Sequence, residues 1–281
     1  MTYGHIEVRP IAPALGAEVR GVDLSRPLPA PVFADIRRAF LEHLALMFRD
    51  QDLAPEHQVA FARRFGPVVP YPFAEPIEGH PEVIAVIKER DQATNFGGFW
   101  HSDTAYLERP SLGSVLYAKE IPPLGGDTLF ANMYLAYEHL SDGMKALLER
   151  LVAVNSSAKN TAAVRGAHLT SGSMTGKGLK SESLEAEHPV VRTHPETGRK
   201  ALYVNQAHTM RFKDMTEAES TPLLAFLFGH AVREEFTCRF QWSKGSLAIW
   251  DNRCTQHFAL NDYPGHRRVM HRVTIQGERP R

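Results

Sequence analysis

Residues 96–110, FGGFWHSDTAYLERP, set an imidazole and a carboxylate one residue apart, His101 and Asp103. On a strand, positions two apart share a face, with Cα atoms about 6.5–7 Å apart. Two imidazoles and one carboxylate on one face of an iron(II) ion leave the remaining coordination positions open to other molecules. The third ligand must then come from elsewhere in the chain. Spacing alone is weak evidence, because the chain has 14 histidines and other His-x-acid pairs occur: His5/Glu7, His80/Glu82 and His194/Glu196. The last of these falls in an expected hairpin turn and is read as solvated.

A second run, IWDNRCTQHFALNDYPGHRRVMHRVTIQG at 249–277, places His257 after a polar turn and ends in a strand. Alternation on that strand gives Arg268, Met270, Arg272 and Thr274 one face. Val269, His271, Val273 and Ile275 take the other, which is apolar enough to pack on helices and gives His271 a structural place. The first face then points inward with two guanidinium groups, about 13 Å apart. A guanidinium in an interior is costly unless it meets an anion. Its fork suits a carboxylate in a way that Lys cannot match. Internal ion pairs with Asp or Glu, or an exposed arginine face, account for this strand equally well when it is taken alone.

The elements that must position these groups are mostly β. Strands are expected at 5–11, 17–24, 82–89, 114–121 and 266–277. A hairpin is expected over 189–205 around Pro195–Gly198, and another over 236–252 around Ser243-Lys244-Gly245. Phe33, Ile36, Phe40, Leu44 and Met47 recur at helical spacing, which predicts a helix over 31–48. Residues 55–65 make a second helix, with Pro55 at its start and Gly66-Pro67 beyond its end. Residues 131–151 read as two helices broken near Ser141-Asp142-Gly143, and Thr216-x-x-Glu219 caps a helix over 216–232. Residues 155–187 are rich in Ser, Gly and Lys without a period, the pattern of a flexible lid or an insert. With no repeat or linker, one domain over 1–281 is expected: antiparallel strands closed as a double-sheet barrel with helices outside.

The ordered set of segments GAEVRGVDLSRPL, MFRDQDL, FARRFGP, WHSD, PPLGGDTLFANMYLAYEHLS, HPVVRTHPETGRKALYVN and the 249–277 run resembles the taurine/2,4-D dioxygenase (TauD/TfdA) family of iron(II)- and 2-oxoglutarate-dependent oxygenases. The resemblance runs from near residue 12 to the C-terminus, with 155–187 a poor match. It implies a double-stranded β-helix (jelly-roll, cupin-like) barrel. It implies Fe(II) held by His101, Asp103 and His257, with Thr128 and Arg268 on the distal carboxylate of 2-oxoglutarate. Arg272 would meet an anionic group of the substrate. The implied reaction couples hydroxylation by O2 to decarboxylation of 2-oxoglutarate, giving succinate and CO2. A hydroxylated carbon that bears a sulfonate, sulfate ester or aryl ether then falls apart to a carbonyl compound. Homo-oligomers, dimers or tetramers, are implied as well.

The departures concern the substrate. Taurine enzymes have a His where this chain has Tyr71, an Asn at Gly97 or Gly98, and an aromatic residue near Ala74. A less amine-like organic anion is expected: an alkyl sulfate, a sulfonate or an aryloxyalkanoate. A non-enzymatic metal-binding barrel and a zinc hydrolase would use the same triad. The hydrolase gives Thr128 and Arg268 no task. Lys+Arg and Asp+Glu balance at 32 each, so no basic surface points to nucleic acid or an anionic membrane. No segment reaches the roughly 18 apolar residues of a membrane span. The start of the chain lacks a secretion-signal pattern. Cys238 and Cys254, read as buried thiols, are too few for a disulfide framework, so a cytoplasmic setting is expected.

Overall fold

The computed structural model describes residues 3–71, 73–160 and 184–281, with Asn160 described by its backbone alone. In chain order the elements begin with β1 (Glu7–Pro10), β2 (Ala17–Arg20), α1 (Ala30–His43), β3 (Ala45–Phe48) and α2 (Pro55–Arg63). Next come β4 (Val68–Val69), β5 (Pro76–Ile77), β6 (His80–Lys88), β7 (Gly113–Glu120), β8 (Thr128–Asn132), α3 (Met133–Glu138), α4 (Asp142–Leu148) and β9 (Val152–Ser156). After the undescribed residues follow β10 (Glu185–Pro189), β11 (Val191–Thr193), β12 (Lys200–Leu202), β13 (Thr209–Phe212), α5 (Glu217–Ala231), β14 (Thr237–Phe240), β15 (Leu247–Asp251), β16 (Thr255–Ala259) and β17 (Arg268–Ile275). The chain is mostly β, with helices packed against the sheets.

Two sheets position the site. The large one runs β1-β2-β3-β15-β7-β17-β6-β5, with β4 paired to β17. The small one runs β14-β8-β16. Smaller sheets β10-β9-β13 and β11-β12 flank them. Among the described strands the pairings are antiparallel except that of β2 with β3. The outward face of β17 meets α2, where Gln58 Nε2 donates to the carbonyls of His271 and Val115. Ile36, Ala39 and Phe40 on α1 pack into the same core as Phe48, Phe61 and Ile249.

The helix expected over 31–48 stops at His43. Leu44 takes a left-handed conformation, φ 64°, and its N–H closes the last turn on the Phe40 carbonyl. Met47 therefore lies on β3, fully buried between β2 and β15. A strand buried on both faces is an unbroken apolar run, and helical spacing fits such a run by accident. The hairpin expected over 236–252 also divides. The turn at Ser243–Ser246 forms, but β14 pairs with β8 and β15 joins β3 and β7, so the chain changes sheet there. The 189–205 hairpin forms as β11 and β12, and Thr216 and Glu219 cap α5 reciprocally. β8, the strand that carries Thr128, was not expected.

The lid or insert expected at 155–187 falls, for 161–183, outside the described residues. Its flanks are ordered rather than loop: β9 and β10 pair from Val152↔Pro189 to Ser156↔Glu185. Cys238 and Cys254 are buried thiols, as expected. Among the described residues no helix is long and apolar enough to cross a membrane.

On β10, burial pushes the imidazole of His188 down to about 4. The neutral ring bonds the Leu107 carbonyl at 3.0 Å, and the nearby Arg192 guanidinium adds to the shift. The unfolded chain, with its histidine near 6.5, binds the proton that the fold refuses, so stability falls as pH drops from about 6.5 to 4. His188→Gln should remove about 1–3 kcal/mol of that acid-side loss. Chemical denaturation of both proteins at pH 7 and pH 4.5 checks it; equal pH slopes would refute it.

Candidate metal centre and ligand cavity

His101 and Asp103 do not sit on a strand. His101 makes a single two-way bridge with His257 on β16, N–H to carbonyl at 3.1 and 2.9 Å, and the chain then turns at Asp103. Thr104 follows in a left-handed conformation, φ 53°. The two side chains converge because the turn curls back, not because a pleat aligns them. The short bridge is why alternation around residue 101 imitates a strand.

The triad nonetheless assembles. Asp103 Oδ1 lies 3.7 Å from His101 Nε2 and 3.8 Å from His257 Nε2, and all three side chains are buried. His101 Nδ1 faces the Phe99 carbonyl at 2.8 Å, which leaves Nε2 with its lone pair toward the centre. Burial pushes both imidazoles below their ordinary values, so they stay neutral. Burial raises the Asp103 carboxyl, but the Arg272 guanidinium against it outweighs that and holds it well below the usual carboxylate range. Two neutral imidazoles and an ionised carboxylate in a desolvated pocket are a fitting donor set for a divalent cation.

Gly97, Thr128, Arg268 and Arg272 line one cavity with His101 and His257. Arg268 and Arg272 come from β17, His257 from β16 and Thr128 from β8, so both main sheets contribute. Arg268 is buried, and its Nε and Nη2 find no hydrogen-bond partner among the described residues. Burial pulls its basicity down. Thr128 Oγ1 accepts from Trp242 Nε1 at 2.9 Å, and the Arg268 guanidinium lies 5.8 Å from the Trp242 ring. A guanidinium left unpaired in a cavity fits a ligand carboxylate.

Arg272 is placed differently from the expectation of a purely substrate-facing arginine. Its Nη2 is 2.7 Å from Asp103 Oδ2 and 2.9 Å from Ser114 Oγ. Ser114 donates to the same Oδ2 at 3.1 Å. The internal ion pair that the strand alone left open is thus realised at Arg272 and not at Arg268. Arg272 Nε still has no partner among the described residues. The Tyr71 ring covers the guanidinium at 5.3 Å. Gly97, at φ 79°, runs so close to the site that a Cβ there would lie 3.3 Å from His101 Cε1.

Sequence reasoning did not single out Ser114, Trp242, Asn252, Tyr106 or His208. Asn252 belongs to the quoted 249–277 run, but Ser, Asn and Trp serve so many purposes that type and spacing do not mark them. His194 is a correction. It is fully buried rather than solvated, and its Nε2 is 3.0 Å from Asp251 Oδ2. With Cys254 these make a second compact cluster of metal-binding types. Arg253 already grips both Asp251 oxygens, at 2.8 and 2.7 Å, and reaches Glu196 at 2.7 Å. Burial keeps the Cys254 thiol well above its usual value, hence protonated. This cluster is a satisfied ionic brace behind the site, not a vacant ligand set.

Residues 7–274 match the model of the taurine catabolism dioxygenase TauD, TfdA family. This chain belongs to that family. It is 36% identical over 280 residues to the alpha-ketoglutarate-dependent sulfate ester dioxygenase of Pseudomonas putida, covering 98% of this chain and 91% of the relative. A taurine dioxygenase from Burkholderia xenovorans superposes with a TM-score of 0.83 at 36% identity, over 99% of this chain and 93% of the other. The structure of AAD-2 in complex with Mn(II) and N-oxalylglycine gives 0.80 at 30% identity, over 100% and 99%. The TauD/TfdA chain described here is a dioxygenase that uses Fe(II), 2-oxoglutarate and O2.

Proposed function

We propose that this dioxygenase hydroxylates the carbon beside the ester oxygen of an alkyl sulfate. The product then collapses to an aldehyde and inorganic sulfate, while 2-oxoglutarate becomes succinate and CO2. His101, Asp103 and His257 would hold the iron, which supplies the activation of O2 and the oxidising power. Thr128 and Arg268 would take the distal carboxylate of 2-oxoglutarate. Arg272 would offer its unpaired Nε to the sulfate, with Tyr71 and Gly97 bordering it. The side chains bind, orient and exclude water; none need act as a general base.

The observation that carries this reading is the split role of Arg272. One edge of its fork is fixed on Asp103 Oδ2, and Nε has no hydrogen-bond partner among the described residues. An anion taken there sits at a fixed offset from the metal ligands. A row of rings leads from it back to the centre: Tyr71 to Phe73 at 5.4 Å, Phe73 to Tyr106 at 5.6 Å, Tyr106 to His208 at 4.9 Å and His208 to His101 at 6.4 Å. Val86, Phe96, Leu116 and Ala259 line the cavity itself, a surface that suits an apolar tail behind an anionic head. The similarity to a sulfate ester dioxygenase supports the same head group.

We read the two main sheets as the faces of a jelly-roll barrel, residues 1–281 as one catalytic domain, and the working protein as a cytoplasmic homo-oligomer. The substrate test is anaerobic loading with Fe(II) and 2-oxoglutarate, then O2 with a panel of alkyl sulfates, sulfonates, aryloxyalkanoates and taurine. Alkyl sulfates should release succinate, aldehyde and sulfate together, at least about tenfold faster than taurine, a difference of about 1.4 kcal/mol in the barrier. Turnover confined to aryloxyalkanoates or taurine would overturn the sulfate assignment. Succinate release that no anion stimulates would overturn the anion reading itself.

A further inference from the structure

The turn that carries Asp103 lacks a sheet partner, yet the carboxylate must be held to within a few tenths of an ångström for a metal ligand to be pre-formed. The Asn252 side chain takes the partner's place. Its Oδ1 accepts from the Asp103 N–H at 2.7 Å, and its Nδ2 donates to the Asp103 carbonyl at 3.0 Å. One amide thus reads both polar groups of one residue, as a neighbouring strand would. The same Nδ2 donates to the Ser111 carbonyl at 3.0 Å, tying in the far side of the turn. Asn252 is completely buried. Its own backbone is fixed, N–H to the Leu112 carbonyl at 2.9 Å, and it stands between Asp251 and Arg253, whose ion pair with His194 and Glu196 locks the segment. The neighbouring Ser102 hydroxyl donates to the Thr255 carbonyl at 2.8 Å, so the whole ligand turn is fastened to 252–257.

We propose that Asn252 is the positioning residue for the carboxylate ligand, acting on metal affinity and on the geometry of the loaded centre through Asp103 rather than by touching metal or substrate. The inference rests on the reading of His101, Asp103 and His257 as the metal centre. Asn252→Asp keeps the acceptor for the Asp103 N–H but cannot donate to the Asp103 and Ser111 carbonyls. Asn252→Ala removes all three bonds. Asn132, another buried amide, which caps α3 and bonds the Ala14 carbonyl, serves as a control through Asn132→Ala.

Mn(II) alone is titrated into each protein by calorimetry, and the visible band of the anaerobic Fe(II)–2-oxoglutarate complex is recorded. Both Asn252 variants should bind Mn(II) about 10- to 100-fold more weakly, the usual effect of losing a partner that orients a ligand. Their band should shift or broaden, while Asn132→Ala loses thermal stability with its Mn(II) affinity kept. In the unsubstituted chain, hydrogen exchange gives a reading independent of variant folding: the Asp103 amide should be among the protected amides even before metal is added. Fast exchange at Asp103, or folded Asn252 variants with Mn(II) affinity within twofold of the parent, would overturn the proposal. Absence of Mn(II) binding by the unsubstituted chain would instead overturn the metal-centre reading on which it rests.

Discussion

Arg268→Ala should nearly abolish 2-oxoglutarate binding while leaving the apo protein as stable as before, or more so. Arg268 is buried, with two N–H groups lacking partners among the described residues, and burial already lowers its basicity. A desolvated, unpaired guanidinium costs stability in the empty protein and returns it only when an anion arrives. Truncating one side of such a charge pair costs about 2–5 kcal/mol of binding, roughly 30-fold to several-thousand-fold in affinity. Arg268 has no ion pair or hydrogen bond with His101, Asp103 or His257 among those described, so Mn(II) affinity should stay within a few-fold. Arg268→Lys restores charge but not the fork and should recover only part of the loss. Calorimetry with Mn(II) alone and with 2-oxoglutarate on the Mn(II)-loaded protein, together with apo melting curves, checks all four statements. A variant that melts much lower than its parent would mean that Arg268 is structural.

The chemistry of the site was more legible in the sequence than its geometry. His101, Asp103, Arg268 and Arg272 stand out because imidazole, carboxylate and guanidinium are costly to bury and therefore need a reason to be there. The inward alternation on β17 was readable because an eight-residue strand repeats its pattern often enough to fix a phase. Two residues are too few, which is why a turn at Asp103 passed for a strand. The sheet change after Phe240 left no local mark, since a turn at Ser243–Ser246 serves a hairpin and a crossover alike. The supporting groups lie far away in the chain: Asn252 is 149 residues from Asp103, and Trp242 is 114 from Thr128. Their ordinary residue types acquire a role only when the fold brings them in. His194 misled for the converse reason. A histidine beside a hairpin turn reads as exposed until Asp251, at the end of β15, and Arg253, in the turn after it, close over it.

Arg272→Ala should expose a second task beside the substrate contact that the sequence alone suggests. If the residue served the substrate alone, its loss would leave the empty centre intact. In the structure its guanidinium instead neutralises Asp103, with Ser114 as the remaining donor to Oδ2. Removing it strands a buried carboxylate, a change that costs about 3–5 kcal/mol when one partner of a buried pair is deleted. A divalent cation can repay that loss, since it supplies charge to the same carboxylate and no longer faces a repelling guanidinium. By linkage, the metal-induced rise in melting temperature should therefore be larger in Arg272→Ala than in the parent, from a lower apo starting point. The loaded variant should still turn over 2-oxoglutarate slowly without substrate, because Thr128 and Arg268 are untouched. The increment in succinate release caused by an alkyl sulfate should disappear. An apo variant as stable as its parent would sink the neutralising role. A retained substrate-dependent increment would place the substrate's anion elsewhere in the cavity.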